Sequence, residues 1–139
     1  METILFACVA NAGRSQMAAA WFNALADPAR ARAVSAGTQP AARVHPVVVD
    51  VMREAGLDLS GSRPQQLTAD LASGAALLVT MGCGDECPFV PGLQIDDWPL
   101  PDPKGRPIDE VRAVRDDVQR RVLELLRARR WEQKQASPL

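Results

Sequence analysis

The sequence has no apolar run long enough to cross a lipid bilayer. Apolar stretches such as ILFACVA and AALLV fall far short of the roughly 20 residues that a transmembrane helix needs. The first residues, METILFA, carry no basic segment ahead of the apolar run, which is not the pattern of a secretory leader. We therefore expect a cytoplasmic protein without a membrane partner.

An excess of charge of one sign is also missing. The chain has 16 lysines and arginines against 17 aspartates and glutamates, a formal net charge of -1. This balance predicts no bulk attraction to nucleic acid. Cysteine and histidine are scarce, with three cysteines and one histidine. Because the cytoplasm keeps thiols reduced, the cysteines indicate catalysis or metal binding rather than a disulfide framework.

The order of apolar patterns predicts alternating strands and helices, without repeats or linkers. We expect one catalytic domain over residues 1–131 and a flexible tail over 132–139. Expected strands are 3–8, 33–35, 75–81 and 93–98, the last one partly polar and near a sheet edge. Expected helices are 13–26, 46–55, 68–74 and a final one carrying Val111, Val114, Val118, Val122 and Leu125 on one face. The predicted fold class is α/β, an open four-stranded parallel sheet with helices on both faces.

Three loops follow strands of this predicted sheet: CVANAGRS, GCGDECPFVPG and PLPDPKG. In open parallel sheets, ligands bind beyond the carboxyl ends of the strands, where the strand order reverses. If the first and third strands are neighbours, these loops meet at one edge. The three cysteines and Asp102 would then share one site.

The segment CVANAGRS has the composition of an oxyanion cradle. A strand, a loop of small residues and a helix start point successive backbone N–H groups at a bound anion, here from Val9, Ala10, Asn11, Ala12, Gly13 and Arg14. The Arg14 guanidinium offers a fork of donors that matches a tetrahedral oxyanion. We expect Cys8 at the floor of this cradle, where the donors and the Ser15 hydroxyl would favour its thiolate. A buried structural cysteine is the alternative interpretation, which the spacing C-x5-R-S disfavours.

With these residues the chain resembles the low-molecular-weight protein tyrosine phosphatase superfamily, which carries this signature near its N-terminus. The resemblance implies that Cys8 is a nucleophile and that Asp102, in the sequence Asp102-Pro103, is the general acid. From the residues alone, Asp102 could equally be a turn-forming aspartate before proline.

Cys83 and Cys87, in TMGCGDECPFVPG, allow three interpretations. They are incidental, or they bind zinc with Cys8 and His45 as the remaining soft ligands, or they form a redox pair. A zinc site usually has its four ligands in tight pairs, which this sequence does not supply. A dithiol that becomes a disulfide supplies two electrons, which a reductase needs and a phosphatase does not.

Over nearly the whole chain the sequence resembles the thioredoxin-coupled arsenate reductases built on the phosphatase fold. That resemblance implies that Cys8 attacks arsenate held by Arg14 while Asp102 protonates the departing oxygen. Cys83 then attacks Cys8 and releases arsenite, and Cys87 attacks Cys83 to leave a Cys83–Cys87 disulfide. The expected substrate is arsenate, with phosphate or sulfate as analogues. We expect a monomer without cofactor or metal.

The sequence departs from that family in three places. Only three residues separate Cys83 from Cys87. The external reductant is therefore thioredoxin or a low-molecular-weight thiol with a glutaredoxin-like protein. Ala19 stands where many members have a glutamate that binds potassium together with Asn11, so we expect Asn11 to shape the cradle instead. The chain has no tyrosine, and only Trp98 is a candidate aromatic near the site. This disfavours the alternative function, an aryl phosphatase with a protective cysteine pair. A third alternative is an oxyanion- or metal-sensing module.

Overall fold

The computed structural model describes residues 1–82 and 91–133, so Cys83 and Cys87 lie outside the described residues. Within them the chain forms four strands and four helices. In chain order these are β1 (Glu2–Cys8), α1 (Arg14–Leu25), β2 (Ala31–Gly37), α2 (Pro46–Glu54), α3 (Ala69–Ser73), β3 (Leu77–Thr80), β4 (Gln94–Asp97) and α4 (Ile108–Arg129).

The four strands form one parallel sheet in the order β2-β1-β3-β4. The adjacency of β1 and β3, on which the predicted site depends, is confirmed. In register, Ala7 lies opposite both Ala36 and Thr80, and Thr80 lies opposite Asp97. The carboxyl ends of all four strands therefore form one edge, and the strand order reverses between β1 and β3.

Side chains of β1 alternate between two hydrophobic layers, as the period of a strand requires. Ile4 and Phe6 pack in the larger layer, which includes residues of α1, α2 and α4. Leu5 and Ala7 pack in a smaller layer with Ala72 of α3. The expected helices on both faces of the sheet are thus confirmed, and the two central strands, β1 and β3, carry most of its buried residues.

The ends of several elements differ from the sequence prediction. β2 is longer than predicted because it pairs with β1 along its whole length, and its small alanines gave little apolar signal. β4 lies at a sheet edge, as expected. On α4 the fully buried leucine is Leu126, whereas Leu125 is only partly buried. In the described part of the chain, no helix is both long enough and apolar enough to span a membrane.

The first residues of the predicted tail contact the end of α1. Gln133 N donates to Leu25 O at 3.0 Å, and Glu132 forms an isolated bridge with Ala26. The rest of the predicted tail, 134–139, lies outside the described residues.

Candidate active site

The loop between β1 and α1 lies at the point where the strand order reverses. Asn11 adopts a left-handed backbone conformation with φ of 50°, which asparagine tolerates better than most residues. Gly13 is required by space, because a Cβ at this position would lie 2.7 Å from Cγ of Pro103. The small residues of the sequence thus let the loop close tightly against the segment that follows β4.

The backbone carbonyls of this loop point away from its centre and are hydrogen-bonded on the outside. The donors are four backbone N–H groups of the segment 38–45 and one side-chain amide. The pairs are Thr38 N to Cys8 O (3.3 Å), Gln39 N to Val9 O (2.8 Å), Ala41 N to Ala10 O (2.9 Å), His45 N to Ala12 O (2.9 Å) and Gln16 Nε2 to Asn11 O (3.0 Å).

Most of the N–H groups of the loop are not used in hydrogen bonds within the described protein. Among the residues that the structure describes, five of them donate to no protein acceptor: those of Val9, Ala10, Ala12, Gly13 and Arg14. The N-terminus of α1, a 12-residue helix, adds its partial positive charge at the same place. This combination of free amides and a helix N-terminus is a general anion-binding arrangement.

Cys8 lies at the floor of the loop, and the residue is 2% exposed. Asn11 N donates to Cys8 Sγ at 3.2 Å, and Ser15 Oγ lies 2.8 Å from the same sulfur. Because Asn11 Nδ2 donates to Ser15 Oγ at 2.7 Å, the hydroxyl hydrogen is free to point at the sulfur. Two donors directed at one sulfur suit a thiolate.

Arg14 connects the loop to the segment after β4. Its guanidinium is buried, with Nη1 donating to Leu100 O at 3.0 Å and Nη2 lying 3.8 Å from Asp102 Oδ2. The Asp102 side chain is 56% exposed, and its other oxygen accepts from Lys104 N at 3.0 Å. The structure therefore brings Cys8, Arg14, Ser15 and Asp102 to one edge of the sheet.

Gln16 is a site residue that the sequence interpretation missed. Its buried amide donates to Asn11 O at 3.0 Å, to Asn11 Oδ1 at 3.2 Å and to Arg63 O at 3.3 Å. Gln65 N donates to Asn11 Oδ1 as well, at 2.9 Å. In the sequence, only the presence of a glutamine on the buried face of α1 could have indicated this hydrogen-bond network.

The Asn11 side-chain oxygen therefore already accepts two N–H donors. An amide oxygen has two lone pairs, so these donors occupy it fully. Asn11 is the centre of hydrogen bonds that connect the loop to Gln16 and to Gln65.

His45 lies closer to the site than its place at a helix start suggested. Its ring Cδ2 is 3.7 Å from the position that a Cβ on Gly13 would take. Burial lowers the pKa of His45 below its ordinary value, although the nearby Asp102 charge acts in the opposite direction. Burial thus favours the uncharged form of this ring, which lies beside the loop.

Comparisons with known proteins agree with this geometry. A protein from Halobacterium salinarum, provisionally named an arsenate reductase, is 38% identical over 128 residues, 86% of this chain and 87% of its own. The glutaredoxin arsenate reductase of a Synechocystis species is 33% identical over 129 residues, 91% of this chain and 97% of its own. The solved thioredoxin-dependent arsenate reductase of Corynebacterium glutamicum superposes with a TM-score of 0.80 at 35% identity, covering 92% of this chain. This chain spans only 61% of that protein.

A family model covers almost the whole sequence. The model for the low molecular weight phosphotyrosine protein phosphatases matches residues 3–136. The matched residues include parts of all four strands, the loop after β1 and the loop after β4 that carries Asp102. The chain belongs to the low molecular weight phosphotyrosine protein phosphatase family.

Proposed function

We propose that this protein is an arsenate reductase that converts arsenate to arsenite with cysteine thiols. The observation that carries the proposal is the buried Cys8 in a loop whose carbonyls accept hydrogen bonds from neighbouring segments, while five of its amides have no acceptor among the described residues. Two further cysteines in the sequence and the arsenate reductase names of its relatives support reduction rather than hydrolysis. Such thiol chemistry requires a reducing compartment, which favours the cytoplasm.

In the first step the loop amides and Arg14 bind arsenate as a tetrahedral oxyanion. The Cys8 thiolate attacks arsenic, so a sulfur–arsenic bond forms as one arsenic–oxygen bond breaks. Asp102, 3.8 Å from Arg14 Nη2, delivers a proton to the departing oxygen, which leaves as water. Arg14 and the amides stabilise the charge that develops on the remaining oxygens.

In the second step Cys83 attacks the Cys8 sulfur. A disulfide forms, the sulfur–arsenic bond breaks, and its electron pair remains on arsenic, which leaves as arsenite. Cys87 then attacks Cys83 and regenerates the Cys8 thiol. Thioredoxin, or a low-molecular-weight thiol with a glutaredoxin-like protein, reduces the resulting Cys83–Cys87 disulfide. The support for this relay is the sequence alone, because both cysteines lie outside the described residues.

The second candidate function is an aryl phosphatase, favoured by the family and by the shared nucleophile, arginine and aspartate. A phosphatase for phosphotyrosine needs an aromatic side chain at the mouth of the site. Trp98, the expected candidate, is 8% exposed and packs on Phe6 with ring centroids 5.5 Å apart. All aromatic side chains in the described part of the chain pack in or against the larger hydrophobic layer. Among the described residues, no aromatic side chain is therefore placed to pack on a phenyl ring at the site; Phe89 lies outside them.

Serine variants at the three cysteines test the proposal, and they cover every thiol in the chain. Arsenite formation is measured with a thioredoxin system and, separately, with a small thiol plus glutaredoxin. We expect Cys8→Ser to form no arsenite, and Cys87→Ser to complete at most one turnover without added thiol. Full multiple turnover by Cys83→Ser and Cys87→Ser with thioredoxin alone would falsify the relay.

Hydrolysis of para-nitrophenyl phosphate separates the two candidates. A reductase should hydrolyse it slowly, at a rate that does not depend on Cys83 or Cys87. Rapid hydrolysis by both of those serine variants, without arsenite formation by the unmodified protein, would establish the phosphatase instead.

A further inference from the structure

Gly82 lies directly after Met81 at the carboxyl end of β3, with φ of 89°. The space beside it is taken by the Arg14 guanidinium. A Cβ at this position would overlap Nη1 of Arg14 and would lie 3.4 Å from Cζ and 3.9 Å from Nη2. The guanidinium therefore packs against backbone that has no side chain.

The atom that a Cβ would displace is the same nitrogen that fixes the orientation of Arg14. Nη1 donates to Leu100 O at 3.0 Å, while Nη2 faces Asp102 at 3.8 Å. The bare Gly82 backbone on one side and the segment after β4 on the other thus hold the guanidinium between them. A shift of Nη1 would rotate the whole fork, because the guanidinium is planar and rigid.

We propose that Gly82 is a positioning residue for oxyanion binding, whose missing side chain allows the Arg14 fork to occupy its place at the rim of the loop. The inference rests on the proposed role of Arg14 as an oxyanion ligand. It names a positioning element outside the signature loop, two residues beyond the end of β3 and directly before the second cysteine. Any side chain at position 82 would lower the affinity of the site for a tetrahedral anion.

The other positive-φ glycines of the described residues separate this steric role from backbone strain. Gly92 has φ of 82°, close to that of Gly82, and a Cβ there would have no atom within 4 Å. An alanine at either position is strained by the left-handed backbone. Only at position 82 would it also meet Arg14, so Gly92→Ala is the matched control.

The experiment measures the affinity of the reduced protein for inorganic phosphate by calorimetry, together with the arsenate KM. We expect Gly82→Ala to weaken phosphate binding and to raise the arsenate KM about tenfold, as loss of a charge-assisted hydrogen bond predicts. Gly92→Ala should lower the unfolding midpoint by a similar amount but leave phosphate affinity unchanged. Equal phosphate affinities for the two variants would overturn the inference.

A second pair of variants covers the case in which Gly82→Ala folds poorly. Asparagine tolerates the left-handed conformation, so Gly82→Asn compared with Gly92→Asn keeps the steric test with less strain. In an Arg14→Lys background, which lacks the planar fork, Gly82→Asn should cause no further loss of phosphate affinity. A loss as large as in the unmodified background would contradict the role of Arg14.

Phosphate affinity is a property that a phosphatase and a reductase share. The positioning role of Gly82 therefore fails if phosphate binding ignores the substitution, even when arsenite is formed normally. The reductase proposal fails if no arsenite is formed, even when Gly82→Asn weakens phosphate binding as expected.

Discussion

Ser15 places its hydroxyl oxygen 2.8 Å from the sulfur of Cys8, seven positions earlier in the chain, and both residues are buried. Asn11 Nδ2 donates to the same hydroxyl at 2.7 Å. The hydroxyl accepts from that amide, and its own hydrogen is available to donate to a Cys8 thiolate.

Ser15→Ala tests that hydrogen bond. A hydrogen bond to a charged acceptor contributes about 1.5–3 kcal/mol, so the rate of the first arsenate-dependent turnover should fall about ten- to a hundredfold. Stopped-flow detection of Cys8 consumption measures this rate, and the unfolding midpoint monitors the fold. An unchanged rate in a folded variant would show that the hydroxyl does not assist the sulfur.

Asp102→Asn tests the general acid. The amide keeps the shape of the side chain and its acceptor for Lys104 N but cannot deliver a proton. We expect kcat for arsenate to fall about a hundredfold while phosphate affinity holds or rises, because a negative charge beside Arg14 is removed. Asp109→Asn, which removes an arginine-paired carboxylate on α4, is the control and should leave kcat unchanged. A parallel loss of phosphate affinity in Asp102→Asn would indicate a binding role instead.

Gln16→Glu tests the hydrogen bonds that Gln16 makes behind the loop, because it replaces a hydrogen-bond donor by an acceptor. A carboxylate would face the oxygens of Asn11 and Arg63, which now accept from the Gln16 amide. We expect an unfolding free energy lower by about 1–3 kcal/mol at pH 7. Part of this loss should return at acidic pH, where the carboxyl regains a proton to donate. Gln39→Glu, at an exposed position, should show neither effect.

Glu54→Gln tests an ion-pair cluster between α2 and α4. Arg112 Nη2 and Arg115 Nη1 donate to Glu54 at 2.8 and 2.9 Å. Mainly through the Arg112 hydrogen bond, they lower the pKa of Glu54 from 4.5 to about 2. A depressed pKa in the folded state gives stability that is present above pH 4.5 and is lost as the pH falls toward 2.

The unfolding midpoint of Glu54→Gln should therefore lie below that of the unmodified protein at neutral pH. The two midpoints should converge as the pH is lowered through that window. Glu124→Gln, which removes an exposed glutamate of α4, is the control. A difference between Glu54→Gln and the unmodified protein that stays constant down to pH 2 would contradict the ion-pair explanation.

The fold and the position of the site were predictable because their signals are local. The apolar run before Cys8, the small residues after it and the start of α1 at Arg14 specify a strand, a turn and a helix from neighbouring residues alone. The adjacency of β1 and β3 is a tertiary property, so the sequence could only supply it as an assumption. The roles proposed for Cys83 and Cys87 remain predictions, because these residues lie outside the described residues.

The parts that escaped prediction depend on contacts between distant segments. Gln16 reaches Arg63, 47 positions away, and Arg14 reaches Leu100, 86 positions away. Neither pairing leaves a periodic pattern or a motif in the sequence. Gly82 was predictable as a turn residue, but its contact with Arg14 requires the sheet order and the loop geometry together.

The outward carbonyls of the cradle have one further consequence. Residues 38–45 already donate hydrogen bonds to the carbonyls of the loop, so the loop would need little rearrangement to bind an anion. A preformed site of this kind distinguishes anions chiefly by size and charge. Arsenate and phosphate are nearly identical in size and charge. The two anions would then be distinguished after binding, in the chemical step, because arsenic more easily exchanges an oxygen for sulfur and accepts two electrons. A high phosphate concentration would therefore slow arsenate reduction by occupying the loop, although phosphate itself would not be reduced.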